Sequence, residues 1–164
     1  MSVCPGCGLV LPDLAEAIPA PGLEASPECW ALYGEVTGPA MSDPELAGWH
    51  QLTVDTYAAQ HPLAGANPIR TAFALIGLHL ALDRGWTGVQ VRDAHKRLAD
   101  GGGPWPVFER PAALDGTRRS IGGVYAAPTA SAHVRMLHDW AEEVWAAWRP
   151  SAGVQVESLV QGLP

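Results

Sequence analysis

Two cysteines separated by two residues, Cys4-Pro5-Gly6-Cys7, with Gly8 after them, constrain this chain more than any other feature. A CPxCG turn points successive backbone N–H groups at the sulfurs, and glycine permits the positive φ angles that such a turn needs. Two intervening residues is the usual spacing for one half of a tetrahedral zinc site. A redox pair would instead open a helix after a strand. Here Pro12 follows closely and no strand pattern precedes the pair. The expected chemistry is therefore metal binding, and zinc is the metal.

The remaining ligands must come from elsewhere, because no second CxxC exists. Cys29 is the only other cysteine, and an odd count of three cannot close a disulfide framework. Ser26-Pro27-Glu28 reads as an N-cap, a proline at the first helical position and an acid near the positive helix end. Cys29 then lies in the first turn, where the helix dipole favours a thiolate. For the fourth ligand, an antiparallel hairpin of two helices turning near residues 38–43 is assumed. Cys29 lies about 13 Å back from that turn, His50 about 10 Å and His61 about 27 Å, at 1.5 Å per residue. The expected set is Cys4, Cys7, Cys29 and His50, a closed structural site that ties the arm to the helical body.

Proline and glycine punctuate the rest. Residues 1–25 should form an irregular, zinc-binding arm. Helix starts at Ser26-Pro27, Ser42-Asp43-Pro44-Glu45 and Asn67-Pro68 predict helices over about 27–37, 43–60 and 68–84. A fourth helix, roughly 88–100, is amphipathic and ends at Gly101-Gly102-Gly103. Residues 101–127 read as a long Gly/Pro-rich loop lying over the body. Thr129 or Ser131 starts a last long helix that should stop near Trp148, before Arg149-Pro150, with a short helix or strand at 154–161. Residues 128–164 are thus a C-terminal helix and tail. The fold class is all-α, an irregular four- to five-helix bundle in a single domain over 1–164.

A second histidine group offers an alternative site. His61, His79 and His133 fall on three core-facing helices and can converge on one interior point, the way a bundle builds a catalytic metal centre. Tyr57, Asp55 and Asp83 would be its catalytic assistants. The competing explanation is three buried histidines, each hydrogen-bonded within the core. His95 and His138 read as surface residues, and Trp105 as a loop anchor. The stripe of Leu137, Trp140, Val144 and Trp148 must face the core, and any exposed remainder of that helix would serve as a protein interface.

The segments CPGCGL, SPECWALYGEV, HQLTVDTYAAQHP and WAEEVWAAW together resemble an uncharacterised bacterial, largely actinobacterial, family filed as a domain of unknown function. The resemblance covers most of the chain except roughly 100–125. It implies that the Cys and His positions matter and implies no activity.

Charge and motif content narrow the function further. A net charge of −7, with only ten Lys and Arg, argues against a nucleic-acid partner and against an anionic membrane surface. No apolar run reaches 18 residues, and the first residues lack a basic start and a long apolar stretch, so a cytoplasmic chain is expected. GxxxxGK[ST], GxGxxG at a strand-to-helix turn, HExxH and GxSxG are all missing. The leading expectation is a zinc-binding helical protein in a binding or accessory role, with a protein partner or a small-molecule ligand. The alternative is a small metalloenzyme at His61, His79 and His133.

Overall fold

The computed structural model describes residues 1–163. It is mostly helical, with six α-helices and one small sheet. Strands β1 (Ser2–Val3) and β2 (Val10–Leu11) pair antiparallel, Ser2 opposite Leu11 and Val3 opposite Val10. The cysteine turn is the loop of this hairpin. The arm is therefore more regular at its start than the Pro/Gly content suggests, because the knuckle itself brings the flanking residues into register.

Helix α1 (Pro27–Ala40) starts as its sequence dictates, with Ser26 Oγ accepting from the Cys29 N–H at 3.1 Å. It runs three residues past Thr37 and carries Pro39 in its last turn. Helix α2 occupies His50–Gln60 only, seven residues shorter at its start than the sequence reading. The Ser42-Asp43-Pro44 start signal instead makes tight turns, where the Asp43 carboxylate accepts from the Glu45 N–H at 2.8 Å. A 3₁₀ turn at Ala47–Trp49 then leads into α2.

Helix α3 (Pro68–Leu78) is capped by Asn67 and passes into a π-helical turn, His79–Asp83, before Gly85 reverses the chain at φ +68°. Helix α4 (Gly88–Asp100) has a full capping box between Thr87 and Gln90. The long loop is not structureless. It holds a 3₁₀ turn (Ala112–Gly116) and a short helix α5 (Ile121–Tyr125), and it lies against α6 and α1. Trp105 anchors it, edge-on to Phe73 at 4.8 Å.

Helix α6 (Ala130–Leu159) is one continuous helix that passes through Pro150, where a stop was expected. A helix-interior proline costs about 3 kcal/mol. The apolar stripe does not end there: Ala152, Val156 and Val160 are as buried as Leu137, Trp140, Val144 and Trp148. Packing of that extra stretch outweighs the local penalty.

The core forms where α2, α3 and α6 meet. Three indoles of α6 are fully buried, and each N–H finds an acceptor. Trp140 donates to the Gln60 side chain at 2.9 Å, Trp148 to the Ala59 carbonyl at 2.8 Å, and Trp145 to Asp83 at 2.9 Å. Truncating such a residue costs about 3–5 kcal/mol. The stripe of Leu137, Trp140, Val144 and Trp148 thus faces the core, as its spacing predicts.

Candidate metal centre

The hairpin brings Cys4 and Cys7 to one end of the bundle, where α1 begins and α2 ends. Cys29 enters from the first turn of α1, and His61 from the residue that terminates α2. The candidate ligand atoms of Cys4, Cys7, Cys29 and His61 all lie within 4.8 Å of one another. Two edges are short: Cys7 Sγ to Cys29 Sγ is 3.9 Å, and Cys29 Sγ to His61 Nε2 is 3.7 Å. Zinc–sulfur bonds near 2.3 Å and zinc–nitrogen bonds near 2.0 Å give tetrahedral edges of about 3.8 and 3.5 Å, so both observed edges fit.

The surroundings are those of a ligand set. His61 Nδ1 donates to the Tyr57 carbonyl at 2.7 Å. A carbonyl can only accept, so the proton sits on Nδ1 and the Nε2 lone pair faces the sulfurs. The Tyr57 hydroxyl donates to Cys29 Sγ at 3.3 Å, and its ring stacks on His61 with centroids 4.1 Å apart. Tyr33 packs against Tyr57 at 4.3 Å and Trp30 against Tyr33 at 5.1 Å, walling the site in aromatics. Within the knuckle the N–H of Cys7 faces the Cys4 sulfur and that of Leu9 faces the Cys7 sulfur. Gly8 takes φ +74°, and its N–H donates to the Cys4 carbonyl at 2.8 Å.

Gly6 has a different role. A Cβ there would come within 3.0 Å of both the Glu24 carbonyl oxygen and His61 Cδ2, so only glycine lets the knuckle lie flat on the histidine ring. Two further bonds lock the arm down. The Glu24 N–H donates to the His61 carbonyl at 3.0 Å, and Arg110, reaching from the long loop, donates to the Gly6 carbonyl at 3.3 Å.

Three sulfurs packed this closely cannot all carry full charge without a cation. Hydrogen bonds from Cys29 and Cys7 hold the Cys4 thiol far below its ordinary value. Its interactions with Cys4 and Cys7, and then its burial, push the Cys29 thiol far above. The Cys7 thiol is pushed up to about 12: the Cys29 hydrogen bond pulls it down, but Cys4 and burial outweigh that pull. A divalent cation would let all three ionise. Cys4, Cys29 and His61 are at most 1% exposed, and Cys7 is half-buried. The residues present could hold a metal ion, and the Cys₃His donor set is compatible with zinc.

The chain belongs to DUF5946, a family of unknown function.

The family match runs over residues 2–149 and so includes all four residues of the cluster. No curated protein and no solved structure matches the chain.

Three of the four residues expected as ligands come together, and the fourth place in the group is taken by His61 instead of His50. The helix lengths explain the correction. From Cys29 to the end of α1 is eleven residues, and from the start of α2 to His61 is also eleven. Each span is about 16 Å, so Cys29 and His61 lie level. Counting residues 43–49 as helix shifts the register and points to His50 instead. In the fold His50 lies at the far end of α2, near enough to Arg92 to feel its charge. Burial, and secondarily Arg92, lower its pKa.

The second histidine trio does not assemble. Both ring nitrogens of His61 are used at the cluster. His79 Nδ1 bonds Asp83 at 2.9 Å, one helical turn on. His133 borders a surface hollow with Pro39, Asp43 and Tyr125. Among the described residues, Cys4, Cys7, Cys29 and His61 form the one group of three or more His, Cys, Asp or Glu able to share an ion. The proposed assistants also part company. Tyr57 serves the cysteine cluster, and Asp83 ties His79, Trp145 and Arg149 together. Against its own partial burial, those three partners hold the Asp83 carboxyl below its ordinary range. Asp55 is buried beside Gly77 of α3. His95, expected at the surface, stacks on Phe73 at 5.0 Å, and burial lowers its pKa.

Proposed function

We propose that Cys4, Cys7, Cys29 and His61 hold one zinc ion as a structural centre, and that the protein acts by binding rather than by chemistry at the metal. The observation that carries this reading is the closed Cys₃His geometry, with His61 oriented by a backbone carbonyl and Cys29 bonded by Tyr57. All four positions of a tetrahedral ion are taken by protein, which leaves no site for a metal-bound water. The ion joins the hairpin, the start of α1 and the end of α2, three pieces distant in sequence. Ordering them through one ion makes metal affinity part of the folding free energy.

Among the described residues no helix is long and apolar enough to cross a membrane, and three free thiols suit a reducing cytoplasm. The net charge of −7 favours a protein partner or a small molecule over nucleic acid or an anionic membrane. Elemental analysis of protein purified without chelator tests the centre, with His61→Ala and His50→Ala compared side by side. One zinc per chain is expected in the unaltered protein and in His50→Ala, and a loss of it in His61→Ala and in Cys7→Ser. Cobalt substitution gives a second readout, because thiolate-to-cobalt charge transfer reports tetrahedral sulfur ligation even where the variant is only partly folded. Zinc retained in His61→Ala, or lost in His50→Ala, refutes the ligand set.

A further inference from the structure

At the other end of α2 from the cysteine cluster lies a hollow of about 470 Å³, within the range of small-molecule sites. Trp49, from the 3₁₀ turn, and Trp86, after the Gly85 reversal, are among its lining residues. Leu82 of the π-helical turn contributes to its apolar lining. Such turns are frequent at functional sites. Helix α4 starts hard against the 3₁₀ turn: a Cβ on Gly88 would stand 2.8 Å from the Gly48 carbonyl oxygen.

Into this mostly apolar lining the chain places one carboxyl group. Asp55 is only 4% exposed, and its one hydrogen bond among the described residues comes from Gln51 Nε2 to Oδ1, at 3.0 Å. Gln51 lines the hollow too, and His138 of α6 stands exposed at its edge. No Lys or Arg lines the hollow, and no salt bridge reaches Asp55 among the described residues. A buried carboxyl without a cation is costly unless something else supplies one. Burial accordingly raises the Asp55 pKa well above its ordinary value, with Gln51 opposing.

We propose that this hollow binds a small organic ammonium compound, its N–H donors on the Asp55 carboxylate and its apolar part between the Trp49 and Trp86 indoles. The aromatic faces attract the cation and cover its hydrocarbon, while the carboxylate selects an ammonium over a neutral analogue. None of the four cysteine-cluster residues lines the hollow, so the two proposals stand or fall separately.

The test uses tryptamine and its uncharged counterpart tryptophol, titrated into the full-length zinc-loaded protein. Binding is followed by the indole N–H signals in a ¹⁵N correlation spectrum, with Trp49 and Trp86 assigned by single Phe substitutions. Tryptamine is expected to move the Trp49 and Trp86 signals selectively and to bind at least tenfold more tightly than tryptophol. Asp55→Asn is expected to erase that tenfold difference. Should Asp55→Asn not fold, the comparison of the two probes in the unaltered protein decides. Equal binding of the two probes overturns the proposal, as does a preference for tryptamine that survives Asp55→Asn. Shifts confined to other tryptophans, or none up to roughly 10 mM, beyond the weak end of specific recognition, overturn it too.

Discussion

Replacing Gly6 with alanine is the smallest perturbation that should dismantle the metal centre without touching a ligand. The added Cβ would lie under 3.0 Å from the Glu24 carbonyl oxygen and from His61 Cδ2, whereas ordinary contact begins at 3.4 Å. Relief therefore needs a shift of more than about 0.4 Å, the difference between those two limits. Neither neighbour can yield easily. The Glu24 backbone is tied to His61 by its N–H, and the His61 ring is held between Tyr57 and the sulfurs. Metal–ligand distances tolerate only about 0.2 Å, so the knuckle moves and takes Cys4 and Cys7 out of range. Overpacking alone costs about 1–3 kcal/mol, which for a chain of this size lowers Tm by roughly 2–12 °C. Loss of the ion adds to that. Zinc retention in competition with a chromogenic chelator, with Tm measured with and without excess zinc, reads both effects. Gly8→Ala is the control: it strains a φ of +74° but meets no atom within 4 Å, so it should lower Tm modestly and keep the ion. If Gly6→Ala held zinc as tightly as the unaltered protein, the close approach of knuckle and histidine ring would be refuted.

Removing the metal with a strong chelator should expose the arm before it unfolds the helices. Early proteolytic cleavage within residues 1–25, and none within α6, is the expected pattern. Tyr57→Phe deletes the hydroxyl bonded to Cys29 and should weaken zinc binding about 10- to 100-fold with the fold intact, as outer-shell losses commonly do. Gln60→Ala strips partners from the Trp140 N–H and the Arg119 carbonyl, at about 1–3 kcal/mol for each buried group left bare, measurable by urea denaturation. Asp55 contributes a pH dependence of known sign. Its folded pKa is raised, so the folded chain binds its proton to higher pH than the unfolded one, and its contribution is whole below the ordinary value of 3.8 and is lost as pH rises through the folded pKa. The stability of Asp55→Asn relative to the unaltered protein should therefore improve with rising pH. A difference that stays flat across that range would show the carboxyl to be unperturbed.

Local chemistry by itself determined a good deal of this protein. Ser26-Pro27 and Asn67-Pro68 placed the starts of α1 and α3, because capping is decided within four residues. The CPxCG turn and Cys29 in a first helical turn were legible as candidate ligands for the same reason. Tertiary structure decided the rest. The Ser42-Asp43-Pro44 signal is locally as good a helix start as Ser26-Pro27, yet it made turns; the Gly48 carbonyl lies hard against the start of α4, a contact no local pattern specifies. That one difference moved the fourth candidate ligand from His50 to His61. Pro150 was a sound local stop, overridden by burial of Ala152, Val156 and Val160. Arg110 and Glu24 reach the centre from segments that carry no metal signal at all. Helix starts are written in neighbouring residues, whereas the level at which two helices meet depends on the length and path of what connects them.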